Sequence, residues 1–373
     1  MHLGQATRQR TGLIFVTQLL DPTDPVLGFV SGLLPSLAAR TDRLLVIANE
    51  VRTIPEGVDA EVETLGKEHG HGRVTRTMRY ERLLERLGRD RSFAGLFAHM
   101  CPAYASLAAP ALRLRGKRVA LWFAHPADSW QLALAERLST VILTSLPGAY
   151  PRRTTKAVAI GQAIDIDQWQ FAAPRKPAPV LSALAVGRTS PSKGYPVLIE
   201  AVKRALDRGL PVRLRVVGPA TTAAELAHRD ELVRLIGTLG IEDHVELLGG
   251  VSPQVVRELV PEADVLLNAS RPGFGDKVIF EAMATGRPVV VSNRAFAPVL
   301  HDLPVELLFP DDDVEALVNR LRVIAQLSLT ERELVGHELR RRIVSGHSVS
   351  GWAEAVARVV TGMPAGNRSQ RNP

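Results

Sequence analysis

"LSALAVGRTSPSKGYPVLIEAVKRAL" (residues 181–206) passes from an apolar run through a short loop into an amphipathic segment. The run 181–187 does not alternate apolar with polar residues, which suits a strand buried on both faces of a parallel sheet. Past Gly194, the residues Val197, Leu198, Ala201, Val202 and Ala205 recur at helical spacing and form one apolar stripe. Strand, loop and helix in that order are the repeating unit of α/β folds.

The unit recurs on both sides. Upstream stand "GLIFVTQLL" (12–20), "RLLVIA" (43–48), "GLFAHM" (95–100), "VALWFAH" (119–125), "TVILTS" (140–145) and "AVAIG" (157–161). Downstream stand "VRLRVVG" (212–218), "HVELLG" (244–249), "ADVLLNAS" (263–270) and "PVVVS" (288–292). Between the two series lies "FAAPRKPAPV" (171–180), whose prolines suit neither helix nor strand interiors. The expected fold class is α/β, with two doubly wound parallel-sheet domains. Their boundary falls near residues 165–180, giving an N-terminal domain at 1–168 and a second domain at 169–345. A C-terminal helix at 346–362 is expected to pack back on the first domain. The tail 363–373, rich in Pro, Gly and Asn, is expected to be disordered. A length of 373 residues agrees with two cores rather than one.

Composition narrows the function classes. No apolar run approaches the ~18 residues of a membrane span. Arg8 and Arg10 precede "GLIFV" in the manner of a signal peptide. Thr17, Gln18 and Asp21 interrupt the run and no small-residue cleavage site follows, so it reads as a first buried strand. One cysteine, Cys101, excludes an internal disulfide and a cysteine-based zinc site, and fits a reducing cytoplasm. A net charge of +7 favours an anionic partner. Aromatic residues are only 5% and are not interleaved with the basic ones, which argues against a nucleic-acid platform.

Ligands of doubly wound sheets bind beyond the carboxyl ends of the strands, so chemistry is sought at strand ends. Arg188 follows the 181–187 strand directly, and Lys193 precedes the glycine that opens a helix. Two cations beside a positive helix terminus suit a diphosphate; the plainer alternative is two solvated surface cations. A second stretch, "RPGFGDKVIFEAMATGRPVVVS" (271–292), joins a glycine-rich loop to a short helix. Gly273 and Gly275, flanking Phe274, permit close backbone approach to a ligand. Asp276 suits an N-cap, Gly286 a helix stop, and Lys277 either a phosphate contact or solvated surface. Glu281 then offers one carboxylate that can accept hydrogen bonds from vicinal hydroxyls such as those of a ribose.

Several ordered motifs in 181–292 resemble the bacterial GT4 family of retaining glycosyltransferases, glycosyltransferase group 1. They are "VGR" (186–188), "KG" (193–194), "VVGP" (216–219), "LLGGV" (247–251) and "EAMATGRPVV" (281–290). In the first half, "DPTDPVLGFVSGLLPSLAAR", "FAHMCPAYASLAAP", "LWFAHPADSWQLALAERLSTVILTS" and "AIGQAIDIDQW" look like the family's acceptor domain, so the resemblance runs to about residue 360.

The resemblance implies a GT-B fold, two Rossmann-like domains facing across a cleft, with a nucleotide-sugar donor held mainly by the second. It implies that Arg188 and Lys193 meet the donor diphosphate, that Glu281 meets the ribose, and that the Gly273–Gly275 loop meets sugar and phosphate. Gly28 matches a turn brought toward the donor phosphates, and His125 a histidine near the transferred sugar. His99 and Thr144 are candidates on the acceptor side. No metal and no cofactor are implied beyond the UDP- or GDP-sugar co-substrate.

One departure stands out. Many GT4 members carry an acid eight residues before the glutamate matched by Glu281, and here that position is Gly273. Asp276 is the candidate to replace it in part. Three readings therefore stay open: a retaining glycosyltransferase, a nucleotide-sugar epimerase, and a non-catalytic sugar-nucleotide binder. A cytoplasmic location is expected. Basic segments at 113–122 and 338–344 raise the further option of contact with the inner face of the membrane.

Overall fold

The computed structural model describes residues 11–24, 26–271 and 276–362. Gly273, Phe274, Gly275 and the tail 363–373 lie outside the described residues. Seven strands form one sheet: β1 (Gly12–Leu20), β2 (Leu44–Val51), β3 (Glu61–Thr64), β4 (Phe93–His99), β5 (Arg118–Trp122), β6 (Val141–Thr144) and β7 (Ala157–Ala159). Five form a second: β8 (Leu181–Val186), β9 (Val212–Val217), β10 (Val245–Gly249), β11 (Val265–Asn268) and β12 (Val289–Val291). Their orders are β3-β2-β1-β4-β5-β6-β7 and β10-β9-β8-β11-β12, and every neighbouring pair is parallel.

All of these strands but β3 are those read from the sequence as apolar runs. Leu13, Ile14, Phe15 and Val16 of β1 are fully buried, as are Val265 of β11 and Val289, Val290 and Val291 of β12. Burying such side chains contributes roughly 1.5–3 kcal/mol each, offset by the entropy of ordering the chain. The helix Tyr195–Asp207 turns Leu198, Ala201, Val202 and Ala205 wholly into the second core, with Val197 packed partly against it. Strand β3 escaped the sequence reading. Its segment "EVET" pairs only with β2, and none of its side chains is buried. At an edge the backbone ladder alone can hold a polar strand, so no apolar run announces it.

The chain divides into two compact units. One comprises the described residues of Met1–Ser145, Tyr150–Ala163 and Val349–Pro373, and the other Leu146–Ala149 with Ile164–Ser348. The helix Val349–Thr361 belongs to the first, where the buried Trp352 ring meets Phe97 at 5.4 Å and Trp122 at 5.7 Å, both edge-on. In the second unit the cations of 338–344 are engaged by the protein itself. Arg340 donates to the Ala284 carbonyl (2.8 Å) and the Ile166 carbonyl (3.0 Å), and Arg341 and Arg342 pair with Glu338. Among the described residues no helix is long and apolar enough to cross a membrane.

Candidate functional site

In the second sheet the strand order reverses direction between β8 and β11. The connections leaving these two strands diverge to opposite sides and open a crevice at their carboxyl ends, where doubly wound sheets hold ligands. Residues 187–194 after β8 and 269–271 after β11 flank it. Gly194 fits them together. Its φ is +63°, and a Cβ there would stand 2.2 Å from the Ala269 carbonyl oxygen, so a side chain is excluded by conformation and by contact. The Arg271 N–H donates to the Ser192 carbonyl at 3.0 Å, and the buried Tyr195 hydroxyl donates to the Gly187 carbonyl at 2.5 Å.

Lys193 and Asp276 meet in this crevice. The ammonium lies 2.5 Å from Asp276 Oδ1, and both side chains are largely withdrawn from solvent, 14% and 12% exposed. Asp276 Oδ2 accepts from Asn268 Nδ2 at 2.7 Å and from Ser270 Oγ at 2.5 Å. The reading of Lys193 as a solvated cation therefore does not hold. Asp276 occupies the expected N-cap position of the helix Lys277–Ala284, but its carboxylate accepts no bond from the helix N–H groups and is engaged instead by Lys193, Asn268 and Ser270.

Glu281 lies one turn into that helix, with Lys277 Nζ 3.5 Å from its Oε1. Burial pushes its carboxyl above the ordinary value, while Lys277 and Arg257 pull the other way. Arg188 stands in the open, 65% exposed, its Nη1 3.3 Å from Glu225 Oε1. Glu225 is held at about 2, chiefly by the Thr221 N–H and hydroxyl, then by the Thr222 N–H and Arg188, against some desolvation. With its own side chain mostly in solvent, Arg188 is free to turn to another anion.

Asn268 and Ser270 were not singled out from the sequence. The signal was present, since two polar residues close the apolar run "VLLNAS", but helix caps and turns produce the same pattern. Glu225 likewise reads as an ordinary capping box with Thr222, which it is, while also receiving Arg188.

The first unit repeats the topology, with its reversal between β1 and β4. His99 closes β4 and is buried. Phe15 and Trp122 stack beside it at 6.1 and 6.4 Å, and Phe29 meets it edge-on at 5.7 Å. Burial lowers its pKa to about 4, so it is a neutral ring within an aromatic cluster. Gly28, just after β1, has the Pro22 carbonyl oxygen 2.7 Å from where a Cβ would be, so close packing of the turn requires glycine. His125 lies three residues beyond β5, half-buried, with Nδ1 accepting from the Ala127 N–H at 3.1 Å. Thr144 closes β6, and its buried hydroxyl has no hydrogen-bond partner among the described residues. The structure thus brings Lys193 to Asp276 and Lys277 to Glu281, and sets His99 beside the turn of Gly28. Among the described residues no group of three or more His, Cys, Asp or Glu could hold a metal ion.

Two parallel doubly wound sheets, one with basic and acidic side chains gathered at its switch point, define a GT-B protein. The solved structure of HepE from Anabaena in complex with UDP shares this fold, with a TM-score of 0.72 at 17% identity over 94% of this chain and 100% of that one. Residues 181–327 match the family model "Glycosyl transferases group 1". Among curated relatives, the putative colanic acid biosynthesis glycosyltransferase WcaL of Escherichia coli (strain K12) is 29% identical over 197 residues, 49% of this chain and 47% of that protein. The D-inositol 3-phosphate glycosyltransferase of Actinosynnema mirum is 29% identical over 247 residues, 61% and 50% of the two chains. The chain thus spans about half the length of the curated relatives it matches.

Proposed function

We propose that this protein is a retaining glycosyltransferase that moves a hexosyl group from a UDP- or GDP-sugar to a hydroxyl of a polysaccharide, glycolipid or small-metabolite acceptor. The observation that carries the reading is the convergence of Lys193, Asp276 and the Glu281 helix at the β8/β11 switch point, with Arg188 exposed nearby against Glu225. In this reading Arg188 and Lys193 neutralise the donor diphosphate. Glu281, poorly hydrated yet flanked by Lys277, accepts from the ribose hydroxyls. Lys277 and the 273–275 loop serve sugar and phosphate, and Gly28 lets the β1 turn approach the same phosphates. His125 serves the transferred sugar, and Thr144 and His99 shape the acceptor side.

The bond from the anomeric carbon to the diphosphate oxygen breaks as the acceptor oxygen attacks from the same face. The departing diphosphate takes the acceptor proton. Catalysis of this kind rests on stabilising charge as it develops on the leaving group, where each preorganised donor can supply roughly 3–4 kcal/mol. No glutamate at position 273 is needed for that balance. Asp276 holds Lys193 in place before the donor arrives.

The test is a panel of UDP- and GDP-sugars followed by thermal shift, then transfer to candidate acceptors with the purified chain. Arg188→Ala and Lys193→Ala should each remove most turnover while leaving the circular dichroism spectrum unchanged. Near-normal transfer by either variant would overturn the donor-site assignment. Epimer formation without release of nucleotide diphosphate would favour an isomerase, and donor binding without turnover a binding protein.

A further inference from the structure

At the opposite edge of the second sheet, below the amino ends of β11 and β12, a cavity of about 10 Å³ has room for one water-sized guest. Arg175, Asp264, Arg287 and Arg332 line it, with Pro174 and Gly286. Arg287 and Arg332 are only 4% and 6% exposed, and Asp264 6%. The one carboxylate is fully used. Its Oδ1 accepts from Arg332 Nη1 at 2.9 Å, and its Oδ2 from the Ser182 N–H at 2.9 Å.

Arg287 donates to neutral groups, and Asp264, already paired with Arg332, acts on it only through space. Arg287 Nε donates to the Pro261 carbonyl at 3.0 Å and its Nη2 to the Ala173 carbonyl at 2.8 Å. Arg175, exposed at the rim, donates to the Glu262 carbonyl. Among the described residues no carboxylate forms an ion pair with Arg287 or Arg175. Three guanidinium groups and one carboxylate leave two positive charges uncompensated around the cavity, one of them buried. A buried charge without a counter-charge is costly, and the weak screening that makes it so also strengthens attraction to an anion.

We propose that this cavity is a site for a monatomic anion, chloride under cellular conditions. A cavity of this volume is too small to enclose a nucleotide. Bound there, the anion ties residues 173–175 of the proline-rich segment to the 286–288 turn that joins the Glu281 helix to β12. The site is separate from the switch-point crevice and stands whether or not the protein transfers sugars.

Thermal unfolding of the full chain in sodium chloride, compared with sodium gluconate at equal ionic strength, tests it. With chloride at about ten times its dissociation constant the folded population gains about tenfold, read as a rise of roughly 2–4 °C in Tm. Arg287→Gln should abolish the difference between the two salts, whatever its own Tm. In crystals soaked with bromide, an anomalous peak should appear within hydrogen-bonding distance of Arg287. Equal Tm values in both salts, a chloride effect that survives Arg287→Gln, or a bromide map empty at this cavity would each overturn the proposal.

Discussion

Replacing Asp276 by Asn separates two roles that its carboxylate could play. The ligand-free structure has one acid compensating Lys193 at 2.5 Å and receiving Asn268 and Ser270 on its other oxygen. Hydrogen bonds to a charged group contribute about 1.5–3 kcal/mol each, and the amide retains the geometry for some of them. The expected loss of stability is therefore about 1–3 kcal/mol, visible as a lowered midpoint in urea. Nucleotide-diphosphate binding should move the other way. A diphosphate seated on Lys193 must displace Asp276 and tolerate its charge nearby; at about 6 Å and an effective dielectric of 20, unit charges repel by roughly 3 kcal/mol before solvent screening. After screening, Asp276→Asn should bind UDP or GDP about five- to tenfold tighter by isothermal titration calorimetry. Turnover should fall, because Lys193 is no longer pre-placed. If the variant instead bound the nucleotide as weakly as Lys193→Ala, Asp276 would be part of the donor's binding set, and the reasoning from competition would fail.

Gly194→Ala should lower stability by at least about 1–2 kcal/mol from the positive φ alone, with more from the 2.2 Å approach to the Ala269 carbonyl; an unchanged urea midpoint would contradict the loop contact. His99 has its folded pKa lowered to about 4 from 6.5. The unfolded chain therefore takes up the proton first, and the stability His99 provides is intact above about pH 6.5 and lost as pH falls toward 4. By pH 5 the loss is about 2 kcal/mol, and His99→Gln should flatten the Tm profile of the wild type over that window. Thr144→Val removes a buried hydroxyl that has no partner among the described residues and should leave Tm unchanged or slightly raised; a fall of several degrees would show that the hydroxyl is engaged. If transfer to the acceptor collapsed in that variant while the fold survived, Thr144 would be placed on the acceptor.

The architecture was legible because buried parallel strands leave a local mark. Eleven of the strands correspond to apolar runs seen in the sequence, and the helix Tyr195–Asp207 follows its stripe. Strand β3 left no such mark, since an edge strand is held by backbone pairing to β2, which composition does not record. The chemistry-bearing residues were legible as types at strand ends: Arg188, Lys193, Asp276, Lys277, Glu281.

Their partnerships were decided by tertiary structure. Lys193 and Asp276 are 83 positions apart and meet only because the β8 and β11 loops press together at Gly194. That contact turned an expected helix cap into the counter-charge of a lysine, and drew in Asn268 and Ser270. The charged groups around the distal cavity, Arg175, Asp264, Arg287 and Arg332, come from four separate segments and were equally silent in the sequence. Local periodicity specifies which stretches become strands and helices, since burial of an apolar face needs only nearby residues. Which charges face one another depends on how distant loops converge, and only the folded sheet determines that.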